Sequence, residues 1–371
     1  MPRKNDYTLE FTLRQHTPMI HFQHDQPGAT LRATELKPKL DRFMLQEIYK
    51  NDFDSYKKYL IGYNKEKKKR DFDKKFALDY KINIFSKLSS KKIPSKYLYF
   101  ANNSIKDKSK QRKMLEFKGN TIKIVIRSFH AELLRDIEKH LPLFFLTHNF
   151  GTRQSKGYGS FFPENADPTK TIRMLGQPTY KITYNNGSWE ERVDYVHKLI
   201  KSGINFREYK KSILFEYMCE PPRKIRWEKR RIKQEYRKTV VRPFHKQPVD
   251  CKQKLPDDRF RFVRALLGLA TQQEYNRGPK SGGELITVSN GNIKRFKSPI
   301  LYKKIGKTIY ILPNRSYNTI LNKSFTFSID KNSKKNKPFE LMTPEEFDIF
   351  DFFDYVCRHP EGKKVIEKVH T

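Results

Sequence analysis

Alternating apolar positions near the start of the chain predict a β-strand followed by an amphipathic helix. Over residues 6–13 the apolar side chains fall on every second position, which is the period of a half-buried strand. Apolar residues then recur at helical spacing from Leu31 to Tyr49. We expect Pro38 to lie early in this helix or to separate its first turn, because proline lacks the N–H that a helix interior needs.

The pattern that follows completes an α+β unit. Strands are predicted at 77–86, 96–101, 113–117 and 121–128. A helix begins near Ala131 and is expected to end at His140, ahead of Pro142. The order of strand, helix, strands, helix and strand indicates a ferredoxin-like domain. The highly charged stretch 51–75 is predicted to be a solvated insertion in this domain.

The second half of the chain shows the same mixture of strand and helix periods. Helices are predicted at 188–204, 259–275 and 344–357, and strands at 180–184, 212–218, 294–304, 307–313 and 324–329. Gly306 lies between two of those strands and indicates a hairpin. We therefore predict an α+β fold with two domains, residues 1–165 and residues 166–371.

A large excess of positive charge narrows the choice of partner. The 371 residues include 77 Lys and Arg against 41 Asp and Glu, a formal net charge of +36. Self-repulsion of this size opposes compaction, and a polyanion relieves it. Nucleic acid is therefore the leading partner and an anionic membrane surface the second. No segment approaches the ~20 apolar residues that span a bilayer, so we expect no membrane insertion.

The three cysteines favour a reducing setting. Cys219, Cys251 and Cys357 are far apart and form no CxxC pair, so we expect neither a disulfide framework nor a zinc site of familiar spacing. The start of the chain lacks the charged and then apolar pattern of a secretory signal. These observations predict a cytoplasmic protein without a metal or a cofactor.

One segment, from Gly151 to Phe161, combines three glycines with two cations and a tyrosine; we call it the glycine-rich loop. Glycine permits positive φ and a close approach to a ligand, and consecutive N–H groups in such a turn can converge on a phosphate. The cations add charge there, and the tyrosine ring offers a face for a base. The candidate nucleic-acid-binding residues of the loop are Gly151, Arg153, Lys156, Gly157, Tyr158 and Gly159.

A second candidate group surrounds the start of the first predicted helix. Thr30 or Thr34 can cap that helix, and the orphan N–H groups of a helix N-terminus favour phosphate. The cations expected around this point are Arg32, Lys37, Lys39 and Arg42. The alternative is a capped helix with a solvated charged face.

Three motifs, in their order along the chain, resemble the repeat-associated mysterious protein (RAMP) superfamily of CRISPR effector subunits. They are Glu35-Leu36-Lys37-Pro38-Lys39-Leu40-Asp41-Arg42-Phe43, then the glycine-rich loop, then Arg295-Phe296-Lys297-Ser298-Pro299-Ile300. Within the superfamily they are similar to the first subunit of the type III-B (Cmr) complex. Phe43-Met44 stands where that subunit has tandem tryptophans.

The resemblance implies two ferredoxin-like, RRM-like RAMP domains in one chain. It also implies a subunit that contacts crRNA and target RNA near one end of an antiviral ribonucleoprotein, next to other RAMP subunits. Arg295 and Lys297, which lie in the third motif, join the candidate RNA-binding residues on this basis.

The densest basic segment is 223–246, which holds eleven Lys and Arg against Glu228 and Glu235. Aromatic residues are interleaved with these cations, as they are in surfaces that track RNA. The candidate contacts of the segment are Arg226, Trp227, Arg230 and Arg231. The alternative is a solvated helix or an arm without fixed structure.

Two catalytic alternatives stand beside a non-catalytic role. The resemblance implies that a loop aspartate with a divalent metal can cut RNA, and Asp25, with His24 beside it, lies in the corresponding loop. A metal-independent ribonuclease would instead use the pair His21 and His24. Asp25 is also explained as a turn residue before Pro27, and the glycine-rich loop closes the first half rather than the second. We therefore expect a non-catalytic RNA-binding subunit, with an endoribonuclease as the alternative.

Overall fold

The computed structural model of the chain describes most of both halves. The described residues are 3–20, 31–72, 76–85, 114–115, 121–206, 208–236, 251, 255–269, 271–276, 283–329 and 337–369. They form two compact units, the first consisting of Met1–Gln177 with Tyr302–Tyr310 and the second of Pro178–Leu301 with Ile311–Val369. None of the helices in the described part of the chain combines the length and the apolar character that a membrane span requires.

The first unit alternates strands and helices. Its strands are β1 (Arg3–Asn5), β2 (Thr8–Gln15), β3 (Met19–Ile20), β4 (Lys81–Phe85), β5 (Met114–Leu115), β6 (Thr121–Arg127) and β7 (Phe161–Pro163). Its helices are α1 (Ala33–Phe43), α2 (Phe53–Tyr56), α3 (Ala131–Thr147) and α4 (Pro168–Leu175). A π-helical turn, Met44–Ile48, extends α1. The first predicted helix is therefore confirmed, with Pro38 inside it.

One antiparallel sheet organises the first unit. Its strand order is β1-β2-β6-β4, and β7 also pairs with β2. Strand β2 runs along β6 from Thr8, opposite Arg127, to Arg14, opposite Thr121, and its last residues pair with β7. Alternation along β2 buries one face of the sheet, and α3 contacts both β2 and β7. This packing places the end of α3 beside the glycine-rich loop.

Helix α3 is longer than predicted because its apolar face continues past Pro142. Leu141, Phe144 and Phe145 are each exposed by 1% or less. Burying such side chains contributes about 1.5–3 kcal/mol each, which offsets the roughly 3 kcal/mol that a proline in a helix interior costs. The predicted end at His140 is therefore wrong.

The second half of the chain contributes the remaining elements. Its strands are β8 (Tyr180–Ile182), β9 (Ile204–Phe206), β10 (Glu208–Lys210), β11 (Arg226–Trp227), β12 (Phe260–Arg261), β13 (Gln272–Asn276), β14 (Gly283–Ser289), β15 (Ile300–Ile305), β16 (Thr308–Pro313), β17 (Ser324–Ile329), β18 (Phe339–Met342) and β19 (Ile366–Lys368). Its helices are α5 (Trp189–Lys201), α6 (Ile213–Cys219), α7 (Glu228–Glu235) and α8 (Ile349–Arg358). The predicted hairpin is confirmed, because β15 and β16 are joined through Gly306 at a φ of 58°.

Two four-stranded sheets are formed by these strands, in the orders β13-β14-β17-β18 and β15-β16-β8-β19. Helix α5 begins with a capping box: the Glu191 N–H donates to Ser188 Oγ, and the Ser188 N–H donates to Glu191 Oε2. Helix α8 buries Ile349, Phe352 and Phe353 completely. Its acidic residues therefore lie on a helix whose apolar face belongs to the core.

Two predictions of local structure in the second half are wrong. The helix predicted at 259–275 is replaced by β12, a 3-10 turn over Val263–Leu267, and β13. Gly268 has φ 110° and ψ 135°, which no helix contains. The strand predicted at 212–218 is helix α6, where five of seven side chains are buried. A short segment that is apolar on all sides has no period that separates helix from strand.

The cysteine expectation also needs correction. Cys219 and Cys251 are paired as a disulfide, with their Cα atoms 5.6 Å apart. The expectation of no disulfide rested on sequence separation, whereas folding brings these residues within the distance that a disulfide requires. Cys357 is a free, half-buried thiol, and burial raises its pKa to about 11.

Candidate nucleic-acid interface

The glycine-rich loop is closed by backbone hydrogen bonds and lies along the segment that follows β2. The Phe150 N–H donates to the Gly159 carbonyl at 3.0 Å, which joins the two ends of the loop. The Gly159 N–H donates to the Pro18 carbonyl, and the Thr152 N–H donates to the Ile20 carbonyl, both at 2.8 Å. The loop is therefore an ordered part of the first unit.

Close backbone approach explains two of the three glycines. A Cβ on Gly151, whose φ is 78°, would lie 2.6 Å from the Ile20 carbonyl oxygen. A Cβ on Gly159, whose φ is 67°, would collide with the Phe150 carbonyl. The third glycine, Gly157, has a φ of 89°, a conformation that side chains disfavour.

Most N–H groups of the loop already have acceptors within the protein. The Gly151 N–H donates to Glu35 Oε1 of α1 at 2.9 Å, and the Gly157 N–H donates to the Gln154 carbonyl at 3.1 Å. The N–H groups with such internal acceptors are those of Gly151, Thr152, Lys156, Gly157, Gly159 and Ser160. Because these six N–H groups already have acceptors within the protein, the prediction that they converge on a phosphate is wrong.

The aromatic side chain of the loop is not available to a base. Tyr158 is 1% exposed, so the prediction that its ring stacks on RNA is wrong for this structure. Arg153 and Lys156 are half-buried, and each already interacts with other groups of the protein. Arg153 adopts a left-handed φ of 58° without being a glycine.

A fully buried lysine that sequence reasoning missed joins the two ends of the loop. Lys303 on β15 donates from Nζ to the His148 carbonyl (2.9 Å), to Asn149 Oδ1 (3.0 Å) and to the Phe161 carbonyl (2.9 Å). Burial lowers the pKa of Lys303 well below its usual range. The sequence contains a signal for the burial of Lys303. Residues 301 and 303 lie on the same face of a strand, and Leu301 is an apolar residue that is buried.

His16 occupies a neighbouring position and is held neutral. Its Nδ1 accepts the Gly306 N–H at 3.1 Å. Burial, followed by the charges of Lys303 and Lys304, lowers the pKa of His16 to about 4. The imidazole is therefore an acceptor at neutral pH and does not add to the positive charge of this region.

Two cations predicted to line the start of α1 are engaged within the first unit. Lys39 Nζ donates to Glu35 Oε1 (2.9 Å) and to the Asn149 carbonyl (3.1 Å), which ties α1 to the glycine-rich loop. Lys37 Nζ donates to Asp41 Oδ2 (2.9 Å) and to the Leu78 carbonyl (2.7 Å). Both side chains therefore stabilise the packing of α1.

Arg32 and Arg42, the other two cations predicted near the start of α1, differ in their exposure to solvent. Arg32 is the half-buried N-cap residue of α1, and its carbonyl accepts the N–H groups of Glu35 and Leu36. Its side chain makes no capping hydrogen bond. Arg42 is exposed and has no hydrogen bond or ion pair from its guanidinium to the described residues, so it remains accessible to a phosphate.

The described part of the basic segment 223–246 is largely built into the second unit. Trp227 is 2% exposed and stacks on Phe215 with ring centroids 4.9 Å apart. Arg226 is buried, donates to Asp257 Oδ1 at 2.6 Å and lies over the Phe260 ring. The prediction that Arg226 and Trp227 belong to an RNA-tracking surface is therefore wrong, because neither side chain faces solvent.

Neighbouring cations of that segment have partners as well. Arg231 pairs with Glu235 at 2.6 Å, and the half-buried Arg230 interacts with other groups. Burial, with the charge of Arg264, lowers the pKa of Lys229 to about 7. The fully buried Glu228 of this segment is paired with Arg264, so the charged groups here are engaged within the second unit.

The remaining candidate residues fall into two groups. Arg295 and Lys297 are exposed on the segment before β15, and the Arg295 guanidinium has no hydrogen bond or ion pair with the described residues. The catalytic candidates, His21, His24 and Asp25, lie outside the described residues.

Two family models match this chain. The model of the Cmr1 N-terminal domain matches residues 6–204, and that of the Cmr1 C-terminal domain matches residues 209–369. The crystal structure of apo Cmr1 from Pyrococcus furiosus is 12% identical, with a TM-score of 0.42 and 98% of each chain covered. The cryo-EM structure of the type III-B Cmr-beta bound to cognate target RNA contains a chain that is 10% identical, with a TM-score of 0.24, covering 43% of this chain and 60% of that one. No curated protein matches the chain significantly.

Because both TM-scores lie below 0.5, the assignment rests on the two family models. They match the chain from residue 6 to residue 369 with only a short gap between them. This confirms the resemblance of the three motifs to the first subunit of the type III-B (Cmr) complex. The chain belongs to the Cmr1 family.

Proposed function

We propose that this chain is a non-catalytic RNA-binding subunit of a type III CRISPR effector complex, and that it contacts crRNA or its paired target RNA near one end of the assembly. The single observation that carries the proposal is the match of the two Cmr1 domain models, over residues 6–204 and 209–369. The net charge of +36 supports it, because a polyanion offsets repulsion among the cations. Other RAMP subunits are the proposed protein partners.

We also propose that each half contains one ferredoxin-like RAMP domain. The first follows the order strand, helix, strand, strand, helix, strand along the chain, through β2, α1, β4, β6, α3 and β7. In its sheet the strands lie in the order β4-β6-β2-β7. The second follows the same order along the chain, through β8, α5, β15, β16, α8 and β19, with further elements inserted after α5. In its sheet the strands lie in the order β15-β16-β8-β19. In both sheets the first strand lies between the third and the fourth, which supports a common plan.

The RNA contacts that we propose are the accessible cations of the matched motifs. Arg42, Arg295 and Lys297 are exposed, and Arg153 and Lys156 are half-exposed on the glycine-rich loop. Contacts of this kind neutralise phosphates, which provides the sequence-independent part of binding and fixes the register of the RNA. The proposed mechanism is therefore positioning of RNA rather than reading of bases.

A filter-binding titration with single-stranded RNA at several salt concentrations tests this proposal. For single strands the slope of log K against log salt is about −0.7 per neutralised phosphate, so a steep dependence is expected. Replacing two contacts, Arg42→Gln with Arg295→Gln, should make the slope shallower by roughly 1. The control is Lys170→Gln with Arg173→Gln, which removes equal charge from the exposed side of α4. Salt-independent binding, or equal losses in both pairs, would contradict the assignment.

Assembly is tested by co-expression with other RAMP subunits. We expect this chain to co-purify with them and with a short repeat-derived RNA. A chain that elutes alone from a mixture in which the other subunits assemble would contradict the proposed place in a complex.

The alternative function is an endoribonuclease that uses Asp25 with a divalent metal or the pair His21 and His24 without one. Labelled RNA incubated with the chain, in parallel with and without EDTA, separates the cases. Absence of product in both lanes agrees with a non-catalytic chain. Product that EDTA abolishes would assign cleavage to Asp25 with metal, and product that persists would assign it to the histidines.

A further inference from the structure

An exposed loop of the first unit, residues 61–72, carries a concentration of positive charge that none of the three motifs includes; we call it the basic loop. Five of the six residues from Lys65 to Arg70 are cations, and all six side chains are exposed. The sequence predicted only a solvated insertion for this part of the chain. The geometry of the loop supports a more specific role.

Little negative charge offsets these cations. The carboxylate of Asp71 accepts the Lys68 N–H at 2.6 Å and lies 3.8 Å from the Arg70 guanidinium, and an exposed pair of that kind contributes little. Lys67 Nζ donates to the Gly62 carbonyl at 2.6 Å, which satisfies a donor but leaves the charge in place.

The three other lysines, Lys65, Lys68 and Lys69, have ammonium groups without a contact to the described residues. Their only acidic neighbour within the run is Glu66, which is itself exposed. Three adjacent positive charges are thus presented to solvent from one loop.

The loop is held at its base rather than being a free arm. Leu60 and Leu78 form an antiparallel bridge, and the Ile61 N–H donates to the Ala77 carbonyl at 3.0 Å, so the chain leaves and returns at one point. At the C-terminal end of the loop, the Phe72 ring lies 6.0 Å from that of Phe53.

Two tyrosines attach this base to helix α3. Tyr59 donates its hydroxyl to Glu132 Oε2 at 2.9 Å, and Tyr49 donates to Asp136 Oδ2 at 2.8 Å. Burial, aided by the bond to Asp136, raises the pKa of Tyr49, so this hydroxyl remains a donor at neutral pH. An anchored loop loses less conformational freedom on binding than a free arm does.

We propose that the basic loop is a second RNA-backbone contact of this subunit, separate from the glycine-rich loop and binding phosphates through Lys65, Lys68 and Lys69. This inference rests on the proposed function, which supplies RNA as the polyanion. The composition of the loop favours RNA over an acidic protein, because four of its five cations are lysines and lysine is depleted from protein interfaces. Lysine is a suitable point charge for phosphate.

The test compares two triple variants of the full chain in single-stranded RNA titrations from low to high salt. The first, Lys65→Gln, Lys68→Gln and Lys69→Gln, neutralises the basic loop. We expect its Kd near 0.1 M salt to rise roughly tenfold or more, and the salt slope to become shallower by about 2. The control replaces exposed cations on α3 and α4, namely Lys139→Gln, Lys170→Gln and Arg173→Gln. It should bind within about twofold of the unmodified chain and keep its slope.

A third variant, with arginine at the same three loop positions, keeps the charge and should bind as the unmodified chain does. This separates loss of charge from loss of folding. Equal weakening of the loop variant and the control would overturn the proposal. Normal RNA binding by the loop variant, combined with failure to co-purify with other subunits, would also overturn it and assign the loop to an acidic protein. If the unmodified chain shows no salt-dependent RNA binding, the proposed function itself fails.

Discussion

The glycine-rich loop and the basic loop belong to the same unit and are both rich in cations, but they use their polar groups in opposite ways. In the glycine-rich loop, backbone N–H groups are consumed by internal acceptors such as Glu35 Oε1 and the Pro18 carbonyl. In the basic loop, the ammonium groups of Lys65, Lys68 and Lys69 face solvent. The glycine-rich loop has the more distinctive sequence, but its backbone N–H groups contribute to folding and are not available to a ligand.

Burial is the physical reason for this difference. A loop that packs into a unit must satisfy its backbone groups inside the protein, and Gly157, Tyr158 and Gly159 are all buried. The basic loop satisfies several of its N–H groups locally, as when the Lys68 N–H donates to Asp71, while its lysine side chains stay at the surface. Distinctive motifs therefore do not by themselves identify the atoms that bind RNA.

The largest expected effect comes from filling the space that Gly159 leaves. We expect Gly159→Ala to lower the free energy of unfolding by more than about 3 kcal/mol, because the new Cβ collides with the Phe150 carbonyl and φ is left-handed. The measurement is the midpoint of urea unfolding followed by circular dichroism. The matched control is Gly176→Ala, where φ is 65° and nothing lies within 4 Å of the added Cβ, and which should cost about 1 kcal/mol. Equal losses would show that the loop does not depend on its close approach.

Removing the buried ammonium group of Lys303 should have the next largest effect. Lys303→Met deprives the His148 and Phe161 carbonyls and Asn149 Oδ1 of a donor, and unsatisfied buried acceptors cost about 1–3 kcal/mol each. We expect a net loss of about 3 kcal/mol, because the removed lysine also carried a desolvation cost. Lys307→Met, at an exposed position of the same hairpin, should change stability by less than about 0.5 kcal/mol. A stable Lys303→Met protein would contradict the role of this lysine in closing the loop.

The pH dependence of the first unit should reflect His16, whose pKa falls from 6.5 to about 4 on folding. Above pH 6.5 both states are neutral and the group has no effect. Between pH 6.5 and 4 the unfolded state binds a proton that the folded state refuses, so stability falls as the pH falls. With allowance for partial exposure, we expect a loss of about 2 kcal/mol over this range. Urea titrations at several pH values should show the difference from His16→Gln, and parallel curves for the two proteins would contradict it.

Local features of the fold were predictable, and contacts between distant segments were not. The hairpin at Gly306 and helix α5, with its Ser188 cap, follow from residues close in sequence. The role of Lys303 depends on carbonyls about 150 residues away, and Asp257 and Phe260, which hold Arg226, lie about 30 residues away from it. No period or motif encodes such pairings.

The candidate RNA contacts were likewise predictable only in part. Their cations were identified by composition and resemblance, but whether a cation is paired depends on its neighbours in the fold. Lys39 and Arg42 are three positions apart on α1, yet Lys39 is bound to Glu35 and the Asn149 carbonyl whereas Arg42 is exposed. The same limit applies to Trp227, because an aromatic residue among cations suits both an RNA surface and a packed core.

The smallest expected effect on stability sharpens the comparison between the two loops. Lys68→Gln with Lys69→Gln should change the free energy of unfolding by less than about 0.5 kcal/mol, because both side chains are exposed and lack contacts with the described residues. Lys39→Gln, by contrast, removes the bonds to Glu35 and to the Asn149 carbonyl and should cost about 1 kcal/mol. Thermal unfolding of the variants measures both changes. If the basic-loop pair were the more destabilised, its lysines would be structural, and their availability for RNA would be ruled out.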